Sequence, residues 1–136
     1  MELLANPKTE YLLQASLTTL HVESQEWLKE IEFWRDELAF FYKLLREKES
    51  IEDFPKEALV AMQKELVRID SEKLEVMKNQ VHSHENSLAA LLKTTSLQDE
   101  ELYRETHRKL LIEIYEVQRL IRIYKKELFS FIYQYK

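Results

Sequence analysis

Residues 103–128 read Tyr-Arg-Glu-Thr-His-Arg-Lys-Leu-Leu-Ile-Glu-Ile-Tyr-Glu-Val-Gln-Arg-Leu-Ile-Arg-Ile-Tyr-Lys-Lys-Glu-Leu. Their spacing decides the fold. Tyr103, His107, Leu110, Ile114, Val117, Ile121, Tyr124 and Leu128 step alternately by four and three, and Phe131 and Tyr135 continue the series. A stripe with a 3.5-residue period keeps one face of a helix turned toward a partner helix. Between these positions lie mostly charged residues, as a solvated outer face requires.

Working outward, the same rhythm appears near the start of the chain. Leu17, Leu20, Ser24, Trp27, Ile31, Trp34, Leu38, Phe41 and Leu45 form a second stripe. A third runs through Leu59, Met62, Leu66 and Ile69, then Leu74, Met77, Val81, His84, Leu88 and Leu91. Its step of five from 69 to 74 drifts out of heptad register. The punctuation between stripes is sparse, because the chain has no glycine and two prolines. Asn6-Pro7 reads as an N-cap followed by proline in the first turn. Glu49-Ser-Ile-Glu-Asp-Phe-Pro55 reads as a break with Asp53 as cap. Thr94-Thr-Ser96 is the second break, with Ser96 and Asp99 at capping-box spacing. The spacing predicts helices over 7–49, 54–93 and 97–134, each of about 40 residues. Equal lengths and short turns predict an all-α, up-down-up antiparallel three-helix bundle with coiled-coil-like packing, one domain spanning 1–136.

Composition narrows the function classes. Without glycine there is no phosphate-cradling loop and no Rossmann turn. Without cysteine there is no disulfide, thiolate nucleophile or cysteine zinc ligand, which suits a reducing compartment. No run approaches the roughly 18 apolar residues of a membrane span, and the first residues lack the pattern of a secretion signal. A cytoplasmic protein is the expectation. The net charge of −5 argues against nucleic acid as a partner. Residues 104–136 hold eight Lys or Arg against four Glu, so that stretch is basic and the rest of the chain acidic.

Histidine carries the one pattern with chemical content. His84 and His107 fall inside apolar stripes, and His21 flanks Leu20 and Ser24. Counting equal numbers of residues outward from the two turns places all three at one height. Three imidazoles converging in a bundle match the protein ligands of a Zn²⁺ site with an open position, and imidazole also suits other transition metals. Glu85 and Glu105 lie within a turn as supporting groups. The other readings of the same pattern are a hydrogen-bonded layer that fixes helix register, or rings that do not converge. Glu-x-x-His pairs and the zincin motif are absent, so an enzyme is not expected. Any activity would have to rest on the histidine layer.

The opposite end is aromatic. Phe33, Phe40 and Leu44 lie outside the core stripe of the first helix, and Phe129 and Tyr133 outside that of the last. A three-helix bundle does not need so wide an apolar arc, and such a surplus marks an interface. A homodimer or a partner helix along the first helix is expected there.

The stretch Leu20-His-Val-Glu-Ser-Gln-Glu-Trp-Leu-Lys-Glu-Ile-Glu-Phe-Trp-Arg-Asp-Glu-Leu38 resembles the first helix of a group of short all-helical bacterial proteins that have no assigned activity. Val81-His-Ser-His-Glu85 and His107 are similar to positions where that group carries histidine. Ser24 stands where a further histidine would be expected. The resemblance implies a histidine-containing helical bundle and names neither substrate nor partner. The function expected from the residues is a non-enzymatic binding or scaffold protein acting through the aromatic surface. The alternative is a transition-metal-binding bundle built on His21, His84 and His107.

Overall fold

A computed structural model describes residues 16–94 and 96–135. Three helical rods of 34, 36 and about 38 residues form an all-α bundle. The first is α1, Leu17–Glu47, closed by a 3₁₀ turn at Lys48–Ser50. The second consists of α2, Lys56–Arg68, a π turn at Ile69–Leu74, and α3, Glu75–Leu91. The third is α4, Leu97–Gln134. The rods run up, down and up, so α1 and α4 are parallel. Among the described residues, no helix is long and apolar enough to cross a membrane.

The ends follow local chemistry. Ser16 caps α1, its hydroxyl accepting from the Thr19 amide at 3.1 Å, and Ser96 caps α4 through the Asp99 amide at 3.2 Å. The expected Asn6-Pro7 start lies outside the described residues. The expected Asp53 cap is not made. Pro55 occupies the N-cap position with no side-chain bond, and Asp53 stays exposed. The turn is held instead by Phe54, which is buried, and by the Lys56 ammonium, which donates to the carbonyls of Glu49 and Ile51 at 2.7 and 2.6 Å.

The buried residues follow the predicted stripes, of which Leu17 and Met62 are only half-buried. On α1 they run from Leu20 to Leu45 without an omission. On α4 they run from Tyr103 to Leu128, with Leu111 added, while Phe131 is half-buried and Tyr135 exposed. Each aliphatic side chain so buried contributes on the order of 1.5–3 kcal/mol.

The step of five has a structural counterpart. The π turn spans Ile69 to Leu74, and both residues are completely buried. One extra residue per turn brings two apolar residues five apart onto the same face. The Glu75 amide donates to the Asp70 carbonyl, and the Ser71 hydroxyl donates back to the Val67 carbonyl at 2.9 Å. Arg35 of α1 braces the turn from outside, binding Asp70 at 2.8 Å and also Glu75. Both carboxylates lower the cost of keeping that guanidinium charged, the Asp70 hydrogen bond most of all.

Deleting Ser71 therefore should be tolerated, because Ile69 and Leu74 would then be four apart and the stripe would become a regular heptad. Deleting exposed Asn79 should rotate Val81, His84 and Leu88 out of the core. Thermal unfolding followed by circular dichroism is the measurement. The first variant should stay cooperative, within about 2 kcal/mol of the parent, and the second should lose cooperativity.

Candidate functional site

The histidine layer is built by three helices. His84 of α3 and His107 of α4 occupy core positions, with 2% and 0% of their surfaces exposed. His84 Nε2 lies 2.9 Å from His107 Nδ1. The other nitrogen of His107, Nε2, lies 2.9 Å from Glu23 Oε1 of α1. The carboxylate can only accept, so His107 donates through Nε2. Where His107 Nδ1 accepts from His84 Nε2–H, the line runs His84 to His107 to Glu23. That tautomer leaves His84 Nδ1 as a bare lone pair rather than a buried N–H, the cheaper of the two arrangements.

Aromatic rings close the line on both sides. Trp27 stacks on His107 with ring centres 4.4 Å apart. Tyr103 stacks on His84 at 4.2 Å and an interplanar angle of 6°. His84 is almost wholly buried, so a charge on it would be poorly solvated. Burial, with the neighbouring His107 adding to it, lowers its pKa to about 4. Burial raises the Tyr103 pKa, with Glu85 adding to the rise. Ser24 opposes that rise, although the two hydroxyls do not form a hydrogen bond of ordinary geometry. Ser24 Oγ, His84 Nδ1, Glu85 Oε2 and Tyr103 Oη are buried side-chain atoms with no hydrogen-bond partner.

His21 does not join the pair. It lies half exposed on α1, with Nδ1 2.6 Å from Glu85 Oε1. Gln25 donates to the same oxygen at 2.8 Å. Glu85 thus ties α1 to α3 at the surface. Glu105 is exposed and paired with Arg108 at 2.5 Å. Of the expected set His21, His84, His107, Glu85 and Glu105, only His84 and His107 meet in the core. In this geometry both nitrogens of His107 are occupied, and the His84–His107 separation is that of a hydrogen bond. A shared ion would need both facing nitrogens free of protons at about 2.0–2.1 Å from it. Among the described residues, no group of three or more His, Cys, Asp or Glu is placed to hold a metal ion.

Glu23 was not among the residues expected here. Its signal is present in the sequence as a seven-residue row, Glu23, Glu30 and Glu37, beside the core stripe of α1. The row borders α4. Glu37 binds Lys125 at 3.1 Å, as Glu23 binds His107.

The aromatic surplus is also where the spacing placed it. Phe33 is 57% exposed, Phe40 61% and Phe129 53%. Tyr133 is exposed and Leu44 half-buried. Phe129 meets Phe41 edge to face at 5.6 Å, and Phe41 meets Phe40 at 5.8 Å. Core and surface aromatics are thus continuous across the α1/α4 seam.

Comparison with protein families, curated proteins and solved structures finds no match.

The lowered His84 pKa has a definite pH consequence. The unfolded chain takes up a proton near pH 6.5, and the folded one only near pH 4. Stability therefore falls on acidification through that window, where the unfolded state binds more protons. Between pH 7 and pH 5 the loss from this group should be about 2 kcal/mol. Guanidinium unfolding at the two pH values checks it. The His84→Gln variant should show that much less pH dependence, and an equal slope in both proteins would refute the assignment.

Proposed function

We propose that the protein is a non-enzymatic helical binding or scaffold protein whose working surface is the α1/α4 face, engaged by a second copy or by a partner helix. The observation that carries this reading is the group formed by Phe33, Phe40 and Phe129, each more than half exposed on one face. Single exposed apolar residues need no explanation, whereas several exposed phenylalanines along one seam do; Phe40 and Phe129 both pack on Phe41, and Phe33 lies seven residues before Phe40. Aromatic side chains supply large contact area at low entropic cost, and they dominate binding energy where they cluster.

The histidine layer belongs to the scaffold in this reading. Its rings are stacked between Trp27 and Tyr103. A buried polar line of that kind selects one register of three long helices against slipped alternatives, as a polar core position does in a coiled coil. A cytoplasmic setting is part of the reading and rests on the cysteine-free composition.

Sedimentation equilibrium tests the proposal. At tens of micromolar the chain of 16.5 kDa should sediment as a dimer. Phe33→Ser with Phe40→Ser, which removes the rings without adding charge, should return it to a monomer without loss of helical signal. A wild-type monomer at that concentration would sink the self-association arm. A dimer indifferent to both substitutions would show that the face is not the one used.

A further inference from the structure

Resting on the α1/α4 face as the binding surface, we infer that its occupant is a second copy lying parallel to the first. The two-fold axis would run along the bundle, so that α1 of each protomer meets α4 of the other.

Charge is divided unevenly across the face. The contacts Glu23–His107 and Glu37–Lys125 fix which side of α1 borders α4. Three residues further on from the Glu23, Glu30, Glu37 row, on that same side, runs an outer row of Glu26, Phe33, Phe40 and Glu47, all exposed. The facing outer row of α4 is Arg108, Tyr115, Arg122 and Phe129, on the side set by the Phe41–Phe129 contact. One ridge is acidic and aromatic with no base. The other is basic and aromatic and has no acid of its own, although its Arg108 is also paired with Glu105 of the adjacent row. The face is therefore divided lengthwise into an acidic half and a basic half.

Two bundles meeting on this face can be related by a two-fold axis across the helices or along them. An axis across the helices sets α1 antiparallel on α1 and α4 on α4, pairing like charge with like. An axis along the bundle sets each acidic ridge on the partner's basic ridge. The aromatic residues supply the affinity in either case, and the charges choose the direction.

Height supports the same choice. The seam contacts join residues 84 and 88 apart. Arg122 thus stands level with residues 34–38 of α1, between Phe33 and Phe40. Tyr115 stands between Glu26 and Phe33. In the parallel dimer the two rows interdigitate, and the Arg122 guanidinium of one protomer enters between two phenylalanine rings of the other, where a cation is favoured. Arg122→Glu keeps the aromatic rows and should weaken the dimer about tenfold or more.

Direction is read by spin labels on single cysteines, since the natural chain has none to interfere. Val22→Cys, Asp36→Cys and Lys43→Cys are exposed. They share one row on the side of α1 away from the core, outside the proposed contact. Dipolar spectroscopy on each labelled dimer should give one common inter-label distance for all three, because a parallel axis keeps equal residues at equal heights. In an antiparallel dimer each axial offset is twice the label's distance from the axis, and three labels cannot agree. Three unequal distances in a dimer still dissociated by Phe33→Ser with Phe40→Ser would overturn the parallel arrangement and leave the binding face standing. A dimer that survives those substitutions would overturn the face itself. A monomer would overturn the second copy as occupant.

Discussion

Register is the constraint on which this molecule depends. Three rods of about 50 Å each bury one narrow stripe, and the stripes must stay opposed from end to end. A heptad stripe achieves this while its period holds. The second rod breaks the period once, between Ile69 and Leu74, and the π turn absorbs the extra residue there. Both ends of the turn remain fully buried, so apolar burial favours the wider turn over a regular one. The Arg35 clamp on Asp70 and Glu75 ties the loosened segment to α1 and limits its freedom to unwind.

Register is fixed a second time by polarity. An apolar stripe of leucines tolerates a slip of one heptad at modest cost. The line from His84 through His107 to Glu23 does not, because a slip would bury ring nitrogens against leucine. The layer has an energetic weakness that accompanies its specificity. Four buried polar atoms in and around it lack partners in the protein, and burial disfavours a charge on His84. The same burial that makes the layer selective makes it sensitive to acid.

The two ends of the bundle then differ in kind. Near the histidine layer, polar groups turn inward or are bridged at the surface by Glu85. Toward the other end, aromatic residues fill the core and continue outward past Phe41 to Phe40 and Phe129. In the rows beside the α1/α4 seam the charges are sorted, with Glu23, Glu30 and Glu37 on α1 and Arg108, Arg122 and Lys125 on α4. Within one molecule this sorting accounts for the Glu37–Lys125 pair. It also leaves a lengthwise division of charge on the outer face, and any partner docking there must match it.

Hydrophobic periodicity by itself determined the three rods, their order and nearly every buried residue, because burial is set by which face of a helix carries apolar groups. It also marked the histidines and the surplus phenylalanines, and it held the anomalous five-residue step in plain view. Other features were decided only in three dimensions. Spacing located His21 near the right height, but its azimuth turned it toward Glu85 at the surface. Glu23, one residue before Ser24, pointed at His107 instead. Asp53 had the chemistry of a cap, yet Phe54 packing and the Lys56 bonds shaped the turn without it. Height along a helix can be counted from sequence, whereas which neighbour a polar side chain meets depends on rotation about each axis and on competition among nearby groups, and packing alone settles both.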